Sequence, residues 1–165
     1  MVTASLAVTL DTPARQEFFD LTGQFQEFVG GTGVRAGIAI AYTPHTSCCV
    51  LLQEESEDTT YYGTQLILQD TLNVLAKIAP ATRHEGQYLH PGPVHIRNAS
   101  ELRDEHPSWG LNTDGHIISS ILGRSECVPV LDGAPALGEF GRIYFGDLDA
   151  VRPRVRKVHF QVIGD

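Results

Sequence analysis

Three histidines occupy positions at which an imidazole could bind a ligand or move a proton. His45 lies between two apolar runs, His90 lies in an irregular proline-containing segment, and His116 lies at a predicted helix start. Functional side chains concentrate at such element ends and loops. Neither an HExxH motif nor a paired CxxC motif surrounds them, so spacing alone leaves open whether they are metal ligands or surface imidazoles. For His95 and His106 the sequence pattern favours neither a functional role nor a surface position.

A cluster of carboxylates follows the second apolar run of the chain. Its members are Glu54, Glu55, Glu57 and Asp58. Acidic residues favour the first turn of a helix because they complement the helix dipole, which would explain the cluster without a function. Glu54 could instead point back toward His45, although strand alternation favours Gln53 on that face unless the strand ends or bulges between them. Both interpretations remain open.

Serine hydroxyls could act as nucleophiles or contact a phosphate group. No G-x-S-x-G elbow surrounds Ser47, Ser119 or Ser120, so serine hydrolysis is a distant third possibility. Ser119 and Ser120 are better explained as helix-surface hydroxyls or as phosphate contacts. The segment 109–116 matches neither a P-loop nor a dinucleotide fingerprint, but a helix start of this kind can present backbone N–H groups to an anion.

Arginines near the C-terminal end are candidates for a phosphate clamp. Arg152 and Arg154, with Arg142 nearby in the sequence, could hold a phosphate because a guanidinium matches a pair of phosphate oxygens. A solvated strand end explains the same residues equally well. The two explanations are left open at this point.

Composition limits the classes of function. The 165 residues are 42% hydrophobic and 19% charged, which is typical of one globular domain. Twelve Lys and Arg against 20 Asp and Glu give a net charge of −8, which argues against general binding of nucleic acid or anionic membranes. Local basic residues could still hold one small phosphorylated molecule. No apolar stretch is long enough to span a bilayer, and the N-terminal stretch lacks the basic region of a signal peptide.

The cysteines indicate a compartment rather than a site. Three cysteines without CxxC spacing form no disulfide framework, so a reducing cytoplasm is the expected location. Cys48 and Cys49 are adjacent and should point to opposite faces of a strand, so one zinc ion could not use both. We expect these two and Cys127 to be small buried hydrophobic side chains.

Hydrophobic periodicity predicts the elements that position these residues. Strands are predicted at 3–10, 36–43, 47–52, 126–131, 140–147 and 155–163. Helices are predicted from Thr12 and Pro13 to Gly30-Gly31, over 58–79 and over 116–122, with an irregular segment at 80–113. This order predicts one α+β domain over residues 1–165, with a mixed or antiparallel β-sandwich-like sheet and two main helices.

The same periodicity predicts the core. The two main helices should cover the sheet with a set of buried apolar side chains: Phe18, Leu21, Phe25, Leu68, Leu72 and Leu75. In the last strand, strict alternation places Val158, Phe160 and Val162 inward, with His159 and Gln161 outward.

Several segments share motifs with a known protein family. His45-Thr46-Ser47, ahead of a strand that ends in Gln53-Glu54, resembles an HTSA…NE segment, and Tyr88-x-His90 resembles a Y-x-H loop. The segment HIISSILGRS at 116–125, followed by VPV at 128–130, resembles HIKSSLLGxS…VPV and is the most specific match. Gly138-x-Phe140 and Arg152-x-Arg154 occupy the places of a GxWQ motif and of the final arginines. Together these segments resemble the YjbQ-like family, sometimes described as secondary thiamine-phosphate synthase, from about residue 36 onward.

The chain departs from the family pattern at a few positions. Gly63 stands where the family has an aspartate, and Phe140 and Gly141 stand where it has a tryptophan and a glutamine. Cys48 replaces a small residue after the Thr-Ser pair. The resemblance therefore implies the fold and a histidine pocket more strongly than it implies the chemistry.

The resemblance carries expectations for assembly and for the site. It implies an α+β subunit that forms a homotrimer, with a pocket near the subunit contact. It implies that His45, His90 and His116 converge on a divalent metal, most simply zinc, with an open position for water or a phosphate oxygen. His45, His116 and Glu54 would be catalytic, with Glu54 as a ligand or as the acceptor of a ring N–H. Substrate contacts would come from Ser47, Asn112, Ser119, Ser120, Arg152 and Arg154.

Two functions compete on this basis. As an enzyme, the protein would join a pyrimidine diphosphate to a thiazole phosphate with loss of pyrophosphate, with Arg152, Arg154 and the helix start binding phosphate and a metal or His116 stabilising the leaving group. As a non-catalytic protein, the trimer would hold a metal or a small anion in its histidine pocket. Formation of thiamine phosphate by the purified protein would discriminate between the two.

Overall fold

The computed structural model describes residues 1–165 and contains eight strands and four α-helices. The strands are β1 (Val2–Thr12), β2 (Glu17–Asp20), β3 (Ala36–Tyr42), β4 (Cys48–Glu54), β5 (Ser125–Leu131), β6 (Ala134–Pro135), β7 (Gly141–Asp147) and β8 (Arg154–Gly164). The helices are α1 (Thr22–Gly31), α2 (Leu66–Ile78), α3 (Pro93–Arg103) and α4 (Thr113–Leu122), and a short 3-10 helix covers Pro107–Gly110. No helix is both long enough and apolar enough to cross a membrane.

The strands form two antiparallel sheets that face each other. One sheet has the order β1-β8-β3-β5-β6 and the other has the order β2-β7-β4. The inner faces of both sheets contribute to one buried core, which α1 also enters through Phe25 and Val29. A second core lies on the other face of the smaller sheet, where α2 and α4 cover it. This arrangement confirms the predicted α+β, β-sandwich-like fold, and every strand pairing in it is antiparallel.

The predicted core is confirmed with one exception. Five of the predicted side chains are buried: Leu21, Phe25, Leu68, Leu72 and Leu75. Phe18 is half-buried because it belongs to β2, an edge strand, and not to a helix. The alternation predicted for β8 is confirmed, since Val158, Phe160 and Val162 are fully enclosed.

The first predicted helix begins in the wrong place. Residues 13–21 do not form a helix, and α1 starts only at Thr22, whose amide donates to Asp20 Oδ1 at 2.8 Å. Thr12 is not the helix cap, because its hydroxyl donates to Asp147 Oδ2 at 2.6 Å. Phe18 packs toward the second core and Phe19 toward the first, as expected for neighbours in a strand. The helical spacing of the aromatic residues was therefore coincidental up to Leu21.

The other helices differ from prediction mainly at their starts. Helix α2 begins at Leu66 and not at residue 58, because a tight turn with a bridge between Thr59 and Gln65 precedes it. Helix α4 begins at Thr113 and ends before Gly123, whose φ of 90° a side chain would disfavour. The predicted irregular segment 80–113 is wrong in part, because it contains α3.

Helix α3 was not predicted from the sequence because it has no apolar face. Only Ala99 is buried among its eleven residues. It starts with Pro93 in its first turn, and the residue that caps its C-terminus, Asp104, adopts a left-handed conformation. A polar helix of this kind gives no hydrophobic periodicity, so the capping residues are the only local signal.

Gly115 lets α4 approach the connection between β7 and β8 closely. A Cβ atom at this position would lie 2.7 Å from the carbonyl oxygen of Leu148, nearer than real Cβ contacts allow. A glycine is therefore required for this contact of helix and backbone. The contact brings the first turn of α4, with His116, next to Asp149.

The adjacent cysteines lie on opposite faces of β4, as predicted. Cys48 belongs to the core between the sheets and Cys49 to the core beneath α2 and α4. Burial raises the pKa of the Cys49 thiol to about 12. The prediction fails for Cys127, which is exposed on β5.

Candidate functional site

A cleft of about 900 Å³ lies where four parts of the chain meet. These are the β3–β4 connection, the segment between α2 and α4, helix α4, and the start of β8 with the β7–β8 connection that leads into it. The residues that line it are Pro44, His45, Thr46, Ser47, His90, His95, Glu105, Trp109, Gly110, Asn112, Thr113, His116, Ile117, Ser120, Ile121, Asp149, Arg154 and Arg156.

A buried ion pair forms the floor of the cleft and joins the two sheets. Arg156 of β8 donates from Nε to Asp147 Oδ2 at 2.8 Å and from Nη2 to Asp147 Oδ1 at 3.1 Å. Both side chains point inward because strand residues two apart share a face: Asp147 lies two residues after the buried Phe145, and Arg156 two residues before the buried Val158. Burial opposes the charge of Asp147, but hydrogen bonds from Arg156 and Thr12 outweigh it and lower the pKa of the carboxyl.

A second pair extends this network toward the solvent. Arg154 donates to Asp149 Oδ2 at 2.9 Å, and the amide of Asn112 donates to the same oxygen at 3.1 Å. Ser47 Oγ accepts from Arg156 Nη2 at 3.1 Å. Nη1 of Arg156 has no partner within the chain and is not enclosed, so it is available to a ligand in the cleft.

An aromatic residue closes one wall of the cleft. The guanidinium of Arg152 stacks on the indole of Trp109, 3.8 Å from the ring centroid, and also donates to Glu105 at 3.1 Å. A cation on an aromatic face and an ion pair both favour this geometry. Arg152 does not line the cleft itself, but it contacts Trp109 and Glu105, which do, and keeps both side chains in place.

Four imidazoles line the cleft, and one of them, His90, lies close to two of the others. The ring of His90 lies 4.9 Å from the ring of His95 and 5.8 Å from that of His116, measured between centroids. Burial lowers the pKa of His90, and the charges that His95 and His116 would carry lower it further. Burial also lowers the pKa of His45, with Arg156 as the next cause.

The first residues of β8 explain the position of His45. Strand β8 runs past the end of β3, so the backbone of Lys157 has no β3 residue opposite it. The β3–β4 connection takes over: Thr43 Oγ1 donates to the Lys157 carbonyl at 2.9 Å, and the Lys157 amide donates to His45 Nε2 at 2.9 Å. The next residue, Thr46, places its carbonyl oxygen 3.0 Å from His116 Nδ1.

The first turn of α4 anchors the segment that carries His90. Thr113 Oγ1 donates to the His90 carbonyl at 2.6 Å. Asp114 Oδ1 accepts from both the amide and the hydroxyl of Thr82, at 3.1 and 2.7 Å. These bonds explain why a segment with little regular structure holds an imidazole in a defined position.

Most of the predicted site residues meet in the cleft. Those that line it are His45, His90, His116, Ser47, Asn112, Ser120 and Arg154. Tyr88 of the Y-x-H motif lies outside it, and its hydroxyl donates to the Pro80 carbonyl at 2.5 Å.

Four predicted residues lie elsewhere, for reasons of strand and helix geometry. Glu54 is exposed at the far end of β4, about 20 Å along the strand from Cys48, so it cannot assist His45. Ser119 faces β4 and donates to the Cys48 carbonyl at 2.6 Å. Arg152 lies behind Trp109, and Arg142 pairs with Glu55 away from the cleft.

Sequence reasoning missed several residues of the site. The main ones are Asp147, Asp149, Arg156, Trp109, Glu105 and His95. Arg156 had a usable signal, because the alternation that places Val158 inward also places Arg156 inward. The aspartates could be found only by knowing which strand ends meet across the two sheets.

The arrangement does not match the predicted metal site. No three His, Cys, Asp or Glu side chains of the chain are grouped to hold a metal ion together. His45 bonds to backbone through Nε2, and His95, which was not among the expected ligands, lies closer to His90 than His116 does. Shared coordination by His45, His90 and His116 is therefore not the geometry of this structure, and a divalent metal in the cleft stays a prediction.

Comparison with known proteins identifies the family. The sequence model described as UPF0047 protein YjbQ-like matches residues 6–165. A UPF0047 protein of Archaeoglobus fulgidus is 31% identical over 153 residues, which cover 93% of this chain and 96% of that protein. The UPF0047 protein YugU of Bacillus subtilis is 27% identical over 155 residues, covering 94% and 96%.

Solved structures show the same fold. A YbjQ-like protein of unknown function from Sulfolobus solfataricus superposes with a TM-score of 0.70 at 17% identity, over 99% of this chain and 100% of that one. A hypothetical protein from Aeropyrum pernix gives a TM-score of 0.70 at 24% identity over 100% of both chains. Because the sequence match and the fold both extend over nearly the whole chain, the protein belongs to the YjbQ-like family, UPF0047.

Proposed function

We propose that the cleft binds a small phosphorylated molecule. The observation that carries this proposal is the pair of arginines at its floor, which buried aspartates hold in place while Nη1 of Arg156 stays free. A guanidinium held in this way can donate to a phosphate oxygen without losing further conformational freedom. Ser47 and Asn112 add a hydroxyl and an amide beside it.

The charge of the cleft favours one small anion over a polyanion. Aspartates balance Arg154 and Arg156, and Glu105 balances Arg152. Lowered pKa values keep His45 and His90 neutral near pH 7. The cleft thus offers hydrogen-bond donors with little net charge, and the chain carries a net charge of −8. We therefore propose neither nucleic acid nor a membrane as partner.

The reaction we propose is the one that the family resemblance implies. A pyrimidine diphosphate would be joined to a thiazole phosphate, and pyrophosphate would leave. The arginines and the donors around them would stabilise the charge that develops on the departing pyrophosphate. Holding both phosphorylated molecules in one cleft would make the encounter effectively intramolecular.

One observation favours a second, non-catalytic function. The two carboxylates that line the cleft, Glu105 and Asp149, are both engaged by arginines. Glu54, which was expected to assist catalysis, lies outside it. A cleft without a free carboxylate could bind a phosphorylated molecule and release it unchanged.

A paired experiment separates the two functions. Purified protein is incubated with both precursors, with and without added Mg²⁺ or Zn²⁺, and thiamine phosphate is measured. Pyrophosphate binding is measured in parallel by calorimetry. Product formation supports the transferase, binding without product supports the non-catalytic protein, and absence of both contradicts the proposed phosphate site.

Two arginine variants serve as a matched pair for this experiment. Arg154 and Arg142 have similarly exposed side chains, 22% and 25%, and each pairs with a carboxylate, but only Arg154 lines the cleft. Arg154→Gln should weaken pyrophosphate binding by roughly tenfold or more, as expected for a hydrogen bond to a charged group. Arg142→Gln should leave it unchanged. Equal effects of the two would place the binding site elsewhere.

We further propose that the protein is cytoplasmic and homotrimeric. Its three cysteines are free thiols, which suits a reducing compartment. The trimer follows from the resemblance and is supported by the uncovered outer face of the larger sheet, on which Ile38, Leu131 and Ile163 are exposed.

A further inference from the structure

Backbone partners determine which ring nitrogen carries the proton in two of the cleft histidines. A neutral imidazole has one N–H donor and one lone pair, and the tautomer is set by the hydrogen bonds that it makes. A side-chain partner often leaves the choice open, because a hydroxyl or an amide can be turned. A backbone amide can only donate and a backbone carbonyl can only accept, so neither leaves a choice.

The tautomer of His45 follows from the amide of Lys157. That amide donates to Nε2 at 2.9 Å, so Nε2 must supply the lone pair. The proton of the neutral ring is then on Nδ1. Nδ1 has no partner in the chain and is not enclosed, and His45 lines the cleft. His45 therefore offers a ligand an N–H donor and no lone pair.

His116 has the same tautomer but exposes the opposite nitrogen. Its Nδ1 lies 3.0 Å from the carbonyl oxygen of Thr46, which can only accept, so Nδ1 carries the proton. Nε2 then has the lone pair. It has no partner in the chain and is not enclosed. His116 therefore offers a ligand an acceptor.

We propose that His45 is a fixed hydrogen-bond donor and His116 a fixed acceptor in the cleft. The ligand would then present an unprotonated oxygen to His45 and a protic group, O–H or N–H, to His116. The proposal rests on the proposed function for the nature of the oxygen, which is a phosphate oxygen. The tautomers themselves rest only on the two backbone contacts.

This assignment divides the predicted roles between the two histidines. His45 has no lone pair to give a metal and cannot take a proton from a substrate through Nδ1. His116 can do either, because its Nε2 is free. The lowered pKa of His45 agrees with a ring that stays neutral and keeps donating at neutral pH. The β3–β4 connection anchors both rings, since Thr46 directly follows His45.

The tautomers are tested on the full-length protein without any ligand. Long-range ¹H–¹⁵N correlation spectra of ¹⁵N-histidine-labelled protein at pH 7.5 distinguish protonated from unprotonated ring nitrogens, and His45→Gln and His116→Gln spectra assign the signals. We expect protonated Nδ1 and unprotonated Nε2 in both rings. A protonated Nε2 in either ring overturns the proposal for that residue.

Two probes then test the exposed atoms. Added Cd²⁺ should shift the Nε2 signal of His116 and leave both nitrogens of His45 in place, whereas a direct effect on His45 would overturn its assignment as a donor. Pyrophosphate should shift Nδ1 of His45. If pyrophosphate does not bind at all, both the proposed function and the assignment of a phosphate oxygen as the partner of His45 are wrong. The tautomers are tested separately, by the spectra of the ligand-free protein.

Matched variants give an independent readout of the donor. A carboxamide side chain can place an N–H near the position of imidazole Nδ1, so His45→Asn should retain most of the pyrophosphate affinity. His45→Ala should lose roughly 10- to 150-fold, the range for one hydrogen bond to a charged group. Equal losses in both variants, with both proteins folded by circular dichroism, would show that donation from Nδ1 is not what His45 contributes.

Discussion

At the scale of single residues, the Asp147–Arg156 pair is the feature on which the cleft depends most. Asp147 is fully enclosed, and its carboxylate accepts from Arg156, Thr12 and the amide of Asp149. Because the pair links β7 of one sheet to β8 of the other, it also fixes the distance between the sheets at the cleft. Its role is thus structural as well as electrostatic.

Replacing Asp147 by Ala should destabilise the protein by about 3–5 kcal/mol, because Arg156 would be left buried without its main counter-charge. Glu55→Ala is the control, since Glu55 also pairs with an arginine but its side chain is 40% exposed. That change should cost no more than about 1 kcal/mol. Urea unfolding of the three proteins measures the difference, and similar values for both variants would contradict the prediction.

The same carboxylate should make stability sensitive to acid. The lowered pKa of Asp147 means that the folded protein binds fewer protons here than the unfolded chain. Its stabilisation is complete above the unfolded pKa of about 3.9 and is lost as pH falls through the folded pKa. The difference in unfolding free energy between wild type and Asp147→Asn should therefore be constant near neutrality and shrink below about pH 4. A difference that persists unchanged at about pH 3 would contradict this.

At the scale of elements, α2 is held by its apolar face and should respond strongly to a cavity. Leu72 is buried in the second core, whereas Val74 on the same helix is 54% exposed. Leu72→Ala should cost about 2–5 kcal/mol. Val74→Ala should change stability by less than about 0.5 kcal/mol. Thermal or urea unfolding distinguishes them, and a small effect at Leu72 would place it on the surface.

The approach of α4 to the β7–β8 connection gives a second test at this scale. Gly115→Ala should destabilise the fold by about 1–3 kcal/mol, because the new methyl would overlap the Leu148 carbonyl. Gly23→Ala in α1 is the matched helical control, since nothing lies within 4 Å of its added methyl. That variant should be neutral or stabilising by up to about 1 kcal/mol. The reverse order of stabilities would contradict the role assigned to Gly115.

The elements also show what the sequence could and could not predict. Helix α2 and strand β8 follow from clear periods of apolar residues, which packing then uses as expected. Helix α3 has no apolar face, and Phe18 of β2 precedes Leu21 by the three residues that are typical of a helix, so the local pattern fails at both elements. The histidines of the cleft were recognisable by type and position. The alternation of β8 indicates that Arg156 points inward, but its pairing with Asp147 could not be predicted, because these two residues, 9 apart in sequence, lie on strands of different sheets and meet only in the folded chain.

At the scale of the whole molecule, the larger sheet has an uncovered outer face and a long edge strand. Exposed Ile38, Leu131 and Ile163 lie on that face, and β1, at one edge, is eleven residues long. A large exposed apolar face often marks a contact with another protein, and an open strand edge can pair with another chain. The family resemblance implies that the assembly is a homotrimer, so we expect sedimentation at micromolar concentration to give three times the 18.0 kDa of one chain. A species of one chain's mass would contradict the trimer.

The distribution of the cysteines allows one position of the protein to be labelled selectively with a fluorescent dye. Cys48 and Cys49 are sealed in separate cores, whereas Cys127 is open to solvent on the outer face of the larger sheet. A thiol-reactive dye should therefore attach only at Cys127 in the folded chain, more slowly where another subunit covers this face, and at all three cysteines after denaturation, as mass spectrometry can count. Cys127 lies opposite Ile40 in the pairing of β3 and β5, so a dye there stands beside the apolar residues of this face. The fluorescence of the dye should change when another molecule binds to this face of the sheet. No cysteine has to be introduced or removed for this measurement.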